Sequence, residues 1–368
     1  MDEFRFDPNY NDLAKFAVAS GNPEIIRIVE QKGCLFNHTL EYAFDYAHPE
    51  IFDWIRTSKS NNSEQLSPSI FLTKCVHQMR ISMLIEMLED GMNPNESKLI
   101  TAAVEEDNVI LLDFLLKIKG IEVNENNIFF FNFQQIRHSM QEVTDTLMAP
   151  SSDKDPPLII ACNRRKKEIV ERLLKFPSTD VNIRGRHYKT ALATVALNGD
   201  VEIAKMLLNH PDIIINIFEE KRKTPFYVAC ENNNFEIVKL LAVRPETDIN
   251  EHTREDEKLT PLHISILNGN EQISSFLLNL NGIDVNAQTK DGKTPLHQAC
   301  QRRKNINIVK LLINHKDINL NVFTLDHLSP LHYACGKSSL EIFKLLYETG
   351  QYDINCKCDE IKKKKYFF

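Results

Sequence analysis

The sequence predicts an all-α solenoid of stacked helix-turn-helix units with short β-turn fingers. Three observations predict it. A four-residue string recurs at a nearly constant interval, an apolar pattern at helical spacing follows each copy, and a short segment ending in Asn closes each unit. A period of roughly 20 to 50 residues marks a repeat architecture, in which each unit buries its apolar face only against its neighbours. The 368 residues therefore need not divide into globular domains of ordinary size.

The recurring string marks the start of the first helix in each unit. Its copies read PPLI, TALA, TPFY, TPLH, TPLH and SPLH, and they begin at residues 156, 190, 224, 260, 294 and 329. The intervals are 34, 34, 36, 34 and 35 residues. Thr or Ser suits the N-cap, because its hydroxyl accepts a backbone N–H. Pro suits the first helical position, where a missing N–H costs nothing.

The second helix of each unit is predicted from a pattern of the form E-I-V-x-x-L-L. One copy is Glu168-Ile169-Val170 followed by Leu173-Leu174, and related copies follow each later string. A helix this short is marginal on its own in water, so each unit depends on stacking against the next. The unit then closes with a segment such as Asp180-Val181-Asn182, from which the chain turns into the next finger.

This combination of a T-P-L-H string, a period near 33 and a closing D-V-N resembles the ankyrin repeat. The resemblance implies a β-turn finger and two antiparallel helices in every unit. It also implies that the recurring His263, His297 and His332 are structural hydrogen-bonding residues. In function, it implies protein binding through the concave surface made by finger tips and first helices.

Four segments are expected along the chain. Residues 1–124 are predicted to form a degenerate ankyrin-like helical module of about four helix pairs, residues 125–155 an aromatic insert and loop, residues 156–355 six ankyrin repeats, and residues 356–368 a lysine-rich incomplete tail. The first module resembles the one that precedes ordinary repeats in protist families of ankyrin-only proteins. The tail offers no capping helix pair, so we expect a frayed C-terminus with an exposed last repeat, or a chain shorter than its relatives.

The insert is the one segment that the repeat rule does not predict. It carries the apolar run Ile128-Phe129-Phe130-Phe131-Asn132-Phe133, and Ile136, Met140, Val143 and Leu147 then follow on one helix face. Two interpretations stay open. The favoured one is that the insert packs against the stack and seals the junction, since a soluble chain seldom exposes such a patch. The other is that the aromatic run docks a partner.

Cysteine usage indicates a reduced chain. Cys162, Cys230, Cys300 and Cys335 occupy equivalent places in four first helices, where we expect small buried hydrophobes. Equivalent positions in neighbouring units lie about 10 Å apart, too far for a disulfide. The Cys356-Lys357-Cys358 pair lacks partner ligands in the nearby sequence and is weak evidence for zinc.

Composition and charge narrow the function classes. The N-terminus lacks a basic start and an apolar run, and no stretch reaches the length of a membrane span, so we expect a cytoplasmic protein with nuclear entry open. The net charge of −7 divides into −11 for residues 1–150 and +4 for the remainder. This basic half favours an acidic partner, but it lacks the dense basic stripe with aromatics of nucleic-acid modules. A nucleic-acid-associated or nuclear regulatory factor is the alternative function.

No motif in the chain carries recognisable chemistry. There is no G-x-S-x-G, P-loop, dinucleotide fingerprint or H-E-x-x-H. Because function must be argued from a site, the sequence predicts a protein that is not an enzyme and that has no catalytic residue, cofactor or metal. We expect a protein-binding scaffold or adaptor that is monomeric alone and binds one or more unidentified proteins.

The candidate partner-binding residues are those of the expected concave face that vary between repeats. In the fingers they are Arg184, Arg186, His187, Tyr188, Phe218, Lys221, Arg222, Arg254, Lys290, Asp291, Phe323 and His327, and on the first helices they are Thr194, Val228, Ile264, Gln298 and Tyr333. Finger turns favour Gly, because Gly takes a positive φ without penalty. Only the finger with Asp291-Gly292 has Gly at this position, and Tyr188, Arg222 and His327 occupy the matching position in other fingers. Those turns therefore either have a changed geometry or tolerate strain of about 1 kcal/mol each.

Overall fold

A computed structural model gives the arrangement of most of the chain. It describes residues 10–32, 36, 39–45, 51, 55, 68–78, 80–89, 91–124, 155–254, 257–336 and 339–350. The aromatic insert up to residue 154, the last closing segment at 353–355, the C-x-C pair and the lysine-rich tail all lie outside these residues, so the predictions made for them stay predictions.

The described residues form helices, most of them in consecutive pairs, with no strand among them, which confirms the predicted all-α solenoid. The chain divides into two units, Met1–Glu122 and Val123–Phe368. The first contains α1 (Tyr10–Ser20), α2 (Pro23–Gln31), α3 (Leu40–Asp45), α4 (Pro68–His77), α5 (Ile81–Glu89), α6 (Leu99–Glu105) and α7 (Val109–Leu115). The second contains α8 (Pro157–Asn163), α9 (Lys167–Lys175), α10 (Ala191–Asn198), α11 (Val201–Leu208), α12 (Pro225–Glu231), α13 (Phe235–Ala242), α14 (Pro261–Leu267), α15 (Glu271–Leu278), α16 (Pro295–Cys300), α17 (Ile306–Ile313), α18 (Pro330–Gly336) and α19 (Leu340–Glu348).

The second unit is built from two layers of helices. The even-numbered helices α8 to α18 are the first helices of the repeats, and each packs against the next of that layer. The odd-numbered helices α9 to α19 form the second layer in the same way. Within a repeat, the two helices pack against each other. The core therefore runs as a continuous strip between the layers, as expected of units that cannot bury an apolar face alone.

The helices begin where the strings place them. The Thr190 hydroxyl accepts the N–H of Ala193 at 3.1 Å, and the Thr224 hydroxyl accepts that of Tyr227 at 3.2 Å. In the second layer, the Asp200 side chain caps α11 by accepting the N–H of Ile203. These caps satisfy N–H groups that have no partner inside the helix.

The recurring His residues connect each helix start to the following repeat. His263 Nδ1 accepts the N–H of Thr260 at 3.2 Å, so its proton resides on Nε2, which lies 3.3 Å from the Lys293 carbonyl oxygen of the next finger. His297 makes the same pair of contacts with Thr294 and with the Leu328 carbonyl oxygen at 3.1 Å. This is the structural role that the resemblance implies.

A second link between repeats comes from the Asn that closes each unit, and we call the series the asparagine ladder. The Asn182 side chain donates to the Asp212 carbonyl at 2.7 Å and accepts the N–H of Ile214 at 2.8 Å. The same pair of hydrogen bonds, one donated and one accepted, recurs at Asn95 in the first unit and at Asn124, Asn216, Asn250 and Asn286 in the second. Each closing segment is thus tied to the equivalent segment of the next repeat.

Three of the four equivalent cysteines are buried as expected, and one is not. Cys162, Cys230 and Cys300 are fully buried between helices, and burial raises the pKa of each thiol. Cys335 is exposed, so burial does not account for it. It lies on α18, in the last described repeat.

The finger turns keep the left-handed geometry even without Gly. Tyr188, Arg222 and His327 have φ values of 58°, 59° and 56°, close to the 77° of Gly292. Each finger is closed by a bond such as that from the Thr289 N–H to the Lys293 carbonyl. The turn at His327 therefore tolerates strain without changing shape, and the longer finger does the same at Lys258, where φ is 50°. In the fingers of Tyr188 and Arg222 the preceding residues, His187 and Lys221, are left-handed as well, so these two turns have also changed shape.

Glycine substitution in these turns should reveal the strain. We expect Lys258→Gly to stabilise the protein by up to about 1 kcal/mol, because Gly takes a positive φ without a Cβ clash. Gly292→Ala should destabilise it by about 1–2 kcal/mol, since its Cβ would lie 3.1 Å from the Leu325 nitrogen. Urea-unfolding midpoints measure both effects, and a less stable Lys258→Gly variant would contradict this account.

Acid should weaken the His links. Burial lowers the pKa of His263 and His297 to about 4, below the roughly 6.5 of an unfolded His. Between these values the unfolded chain binds more protons than the folded one, so stability falls as the pH falls from about 6.5 to about 4. The maximum loss is about 3 kcal/mol per His. Urea unfolding at pH 7 and at pH 5 measures it.

The control for that experiment is the double variant His263→Gln, His297→Gln. It lacks both titrating groups, while every other titratable group is the same in the two proteins. Its stability should depend less on pH than that of the parent protein over this interval. An identical dependence in the variant would assign the acid sensitivity to other groups.

Candidate functional site

The fingers of the second unit form a continuous edge, which we call the finger row. It comprises residues 184–189, 218–223, 251–254 with 257–259, 288–293 and 323–328. Backbone bonds join the tips of the last four fingers: the N–H groups of Arg254, Lys290 and Leu325 donate to the carbonyls of Lys221, Glu257 and Asp291 at 3.2, 3.0 and 3.0 Å. The tips are therefore held in register, so residues on different fingers present one surface.

An arginine–phenylalanine cluster occupies the N-terminal end of the finger row. The guanidinium carbons of Arg184 and Arg222 lie 5.9 and 5.6 Å from the centroid of the Phe218 ring. Cation–π contacts of this kind contribute about 0.5–1 kcal/mol each at exposed sites. Arg222 also pairs with Glu251, with Nε 3.0 Å from Oε1, but no aligned hydrogen bond forms at Nε. The cluster thus fixes two guanidinium groups on adjacent fingers.

Two ion pairs involve the same two fingers as this cluster. The Arg186 N–H donates to Asp155 at 2.7 Å, and its Nε lies 3.8 Å from the same carboxylate oxygen. His187 Nδ1 lies 3.0 Å from Glu220 Oε2 on the next finger. Exposed pairs of this type contribute little stability, typically less than about 1 kcal/mol. A partner carboxylate could therefore replace the internal one at small cost.

The last finger presents apolar side chains instead of charge. Phe323 is exposed, and Leu325 is 74% exposed at the tip. Leu325 is absent from the sequence-based candidates. In the finger that begins at Phe323, Thr324 and Leu328 are buried, whereas Phe323 and Leu325 are exposed. This alternation could have indicated Leu325 as a candidate. An exposed leucine held in place by the bond from its N–H to the Asp291 carbonyl is a preformed apolar contact point.

The first-helix candidates are placed differently from the finger candidates. Thr194, Val228, Ile264 and Gln298 are at most 9% exposed, because they pack where adjacent first helices meet. The Thr194 hydroxyl donates to the Thr190 carbonyl in its own helix. Only Tyr333 is half-buried, with its ring edge against His297 at 5.5 Å. The accessible surface is therefore narrower than the sequence predicted, and it lies along the fingers.

Carboxylates lie on every finger after the first and at the adjoining end of α12. Burial raises the pKa of Tyr227, and the nearby Glu231 and Glu257 raise it further. The pKa of Tyr333 is also raised, mainly by burial and further by the nearby Asp326 and Asp291. Lys223 neutralises part of this charge by donating to both Glu231 oxygens at 2.8 Å. The row thus carries clustered arginines at one end and apolar tips at the other, with carboxylates on every finger after the first.

The described residues include no cluster of three or more His, Cys, Asp or Glu side chains placed to hold a metal ion. In that same part of the chain, no helix has both the length and the apolar character needed to cross a membrane.

Comparison with known proteins identifies one family. A family model of ankyrin repeats matches residues 135–218, 158–253, 215–289 and 262–358, which together span more than half of the chain. No curated protein is significantly similar to this chain in sequence.

Similar solved structures are ankyrin repeat proteins. EF0377, an ankyrin repeat protein, is 25% identical with a TM-score of 0.48, over 53% of this chain and 97% of that one. An ankyrin repeat domain from Acinetobacter baumannii AYE is 23% identical with a TM-score of 0.48, over 53% and 97%. The ankyrin repeat domain of Bcl-3, a member of the IkappaB protein family, is 23% identical with a TM-score of 0.49, over 54% and 88%.

Proposed function

The chain belongs to the ankyrin-repeat family, and from this we propose that it is a non-enzymatic scaffold or adaptor that binds a protein partner along the finger row. Ankyrin repeats are generally protein–protein interaction modules. The observation that carries the proposal is the hydrogen-bonded register of the finger tips, which holds charged and apolar contact residues from successive repeats on one edge. We place the protein in the cytoplasm, with nuclear entry open, and expect a monomer in the absence of its partner.

The composition of the finger row supports this proposal. Arginine and aromatic residues dominate the energetics of protein interfaces, and the arginine–phenylalanine cluster supplies both in a fixed geometry. A preformed surface binds with a smaller loss of conformational entropy than a flexible one. Phe323 and Leu325 add apolar area that only a partner would remove from water.

The order of these features suggests the chemistry of the partner. From the finger at 218–223 to that at 323–328 there are three repeat steps, which at about 10 Å each is roughly 30 Å, the reach of about nine extended residues. We propose that the partner offers an extended segment with carboxylates near the arginine–phenylalanine cluster and an apolar side chain near Leu325. Complementary charge would also speed association and suppress wrong partners.

Charge reversal on the fingers should abolish partner binding. The variant Arg186→Glu, Lys221→Glu, Lys290→Glu changes three exposed side chains, so its thermal unfolding should stay within about 1 kcal/mol of the parent protein. The partner recovered with the parent protein, then purified, should bind this variant at least about 100-fold more weakly by calorimetry.

A matched control variant separates the effect of the finger positions from the effect of the change in net charge. The variant Arg164→Glu, Lys304→Glu, Lys316→Glu carries the same change in charge at exposed positions outside the fingers, and its binding should equal that of the parent. Equal binding by the finger variant would refute the proposal. Salt-dependent retention of the parent on DNA, lost in the control variant, would instead support the nucleic-acid alternative.

Leu325→Ser tests the apolar end of the row. Burying a leucine side chain is worth roughly 1.5–3 kcal/mol, so the purified partner should bind this variant about 10- to 100-fold more weakly. Leu340→Ser is the control, because Leu340 is 64% exposed but begins the second helix α19. If both variants bind the partner like the parent protein, Leu325 is not a contact residue.

A further inference from the structure

Three Asn-Gly pairs occur in the chain, at 198–199, 268–269 and 281–282. A side-chain amide next to Gly is open to attack by the Gly nitrogen, because Gly has no Cβ to hinder the approach. The reaction needs a free side-chain amide and a free backbone nitrogen. The structure distinguishes the three pairs on both requirements.

In the first two pairs, both groups are engaged. The Asn198 side chain donates to the Asn163 carbonyl at 3.4 Å, and the Gly199 N–H donates to the Val195 carbonyl at 2.9 Å. The Asn268 side chain donates to the Glu231 carbonyl at 2.7 Å, and the Gly269 N–H donates to the Ile266 carbonyl at 2.9 Å. Each Gly ends a first helix, so its nitrogen is held in the helical hydrogen-bond pattern.

The third pair differs in both respects. Asn281 and Gly282 follow the second helix α15 and are exposed. Neither the Asn281 side-chain amide nor the Gly282 N–H has a hydrogen-bond partner among the residues that the structure describes. Both reacting groups are therefore free without any local opening of the fold.

We infer that Asn281 is a site of spontaneous deamidation. The Gly282 nitrogen attacks the Asn281 side-chain carbon, a C–N bond forms, and the side-chain nitrogen leaves as ammonia together with the Gly282 amide proton. Water then adds to either carbonyl of the cyclic imide and opens it. The products are aspartate or isoaspartate at position 281, and no oxidant or reductant is involved.

The modified position adjoins a step of the asparagine ladder. The Gly282 carbonyl accepts from the Asn250 side chain at 2.8 Å, and the Asp284 N–H donates to the same side chain at 2.9 Å. Isoaspartate adds one carbon to the main chain immediately before Gly282. The Gly282 carbonyl is then displaced relative to Asp284, so one Asn250 side chain can no longer reach both groups in the same geometry.

Ageing of the full-length protein tests this inference. The chain is incubated at mildly alkaline pH, and peptide mass mapping follows conversion at the three Asn residues. Because two hydrogen bonds must open first at each of the other pairs, Asn281 should react at least about tenfold faster than Asn198 or Asn268. The same incubation in concentrated urea is the control, and there the three rates should converge.

Equal rates in the folded protein, or slower reaction at Asn281, would overturn the assignment. Asn281→Gln tests the consequence for the ladder, because attack on the longer side chain must close a larger ring. After equal ageing, the urea-unfolding midpoint of the parent should fall while that of the variant stays constant. A constant midpoint in extensively modified parent protein would show that the ladder step survives the modification.

Discussion

The asparagine ladder is the interaction on which the regular spacing of the repeats depends. Among the described residues no strand lies beside a closing segment, so its backbone groups need partners from a side chain. The Asn side chain ends in an amide that donates through nitrogen and accepts through oxygen, as Asn182 does with the Asp212 carbonyl and the Ile214 N–H. Aspartate would lack the donor, and glutamine would place the amide one carbon further away. The ladder therefore fixes how far one repeat is displaced from the next.

The His links add a second coupling that is not uniform along the stack. His263 and His297 each join a helix start to the next finger, whereas Ala193 and Tyr227 occupy the equivalent position in earlier repeats. In a solenoid, stability is approximately the sum of each repeat and its interfaces with its neighbours. The earlier interfaces therefore depend more on apolar packing and on the ladder. The later ones depend in addition on two neutral imidazoles.

Features governed by local chemistry were predictable from the sequence. The strings located the helix starts because an N-cap and an N-terminal Pro act within one helical turn, and the strained turns at Tyr188, Arg222 and His327 were identified because they lack Gly. Exposure was harder to predict, because it depends on what the next repeat covers. Val228 and Gln298 occupy first-helix positions expected at the surface and are buried, while Cys335 was expected in the core and is exposed. The pairing of Phe218 with arginines from two fingers needs the finger register, which no single repeat contains.

The ladder contact of Asn124 joins residues that are distant in the sequence. Its side chain donates to the Ser178 carbonyl and accepts the Asp180 N–H. The interval from Asn124 to the start of the next first helix is nevertheless the longest such interval in the repeats. The entropy of closing a loop grows only with the logarithm of its length, so added residues at this junction change the free energy of stacking little. The register of the first recognisable repeat is thus set by one amide and not by the number of residues between 125 and 154.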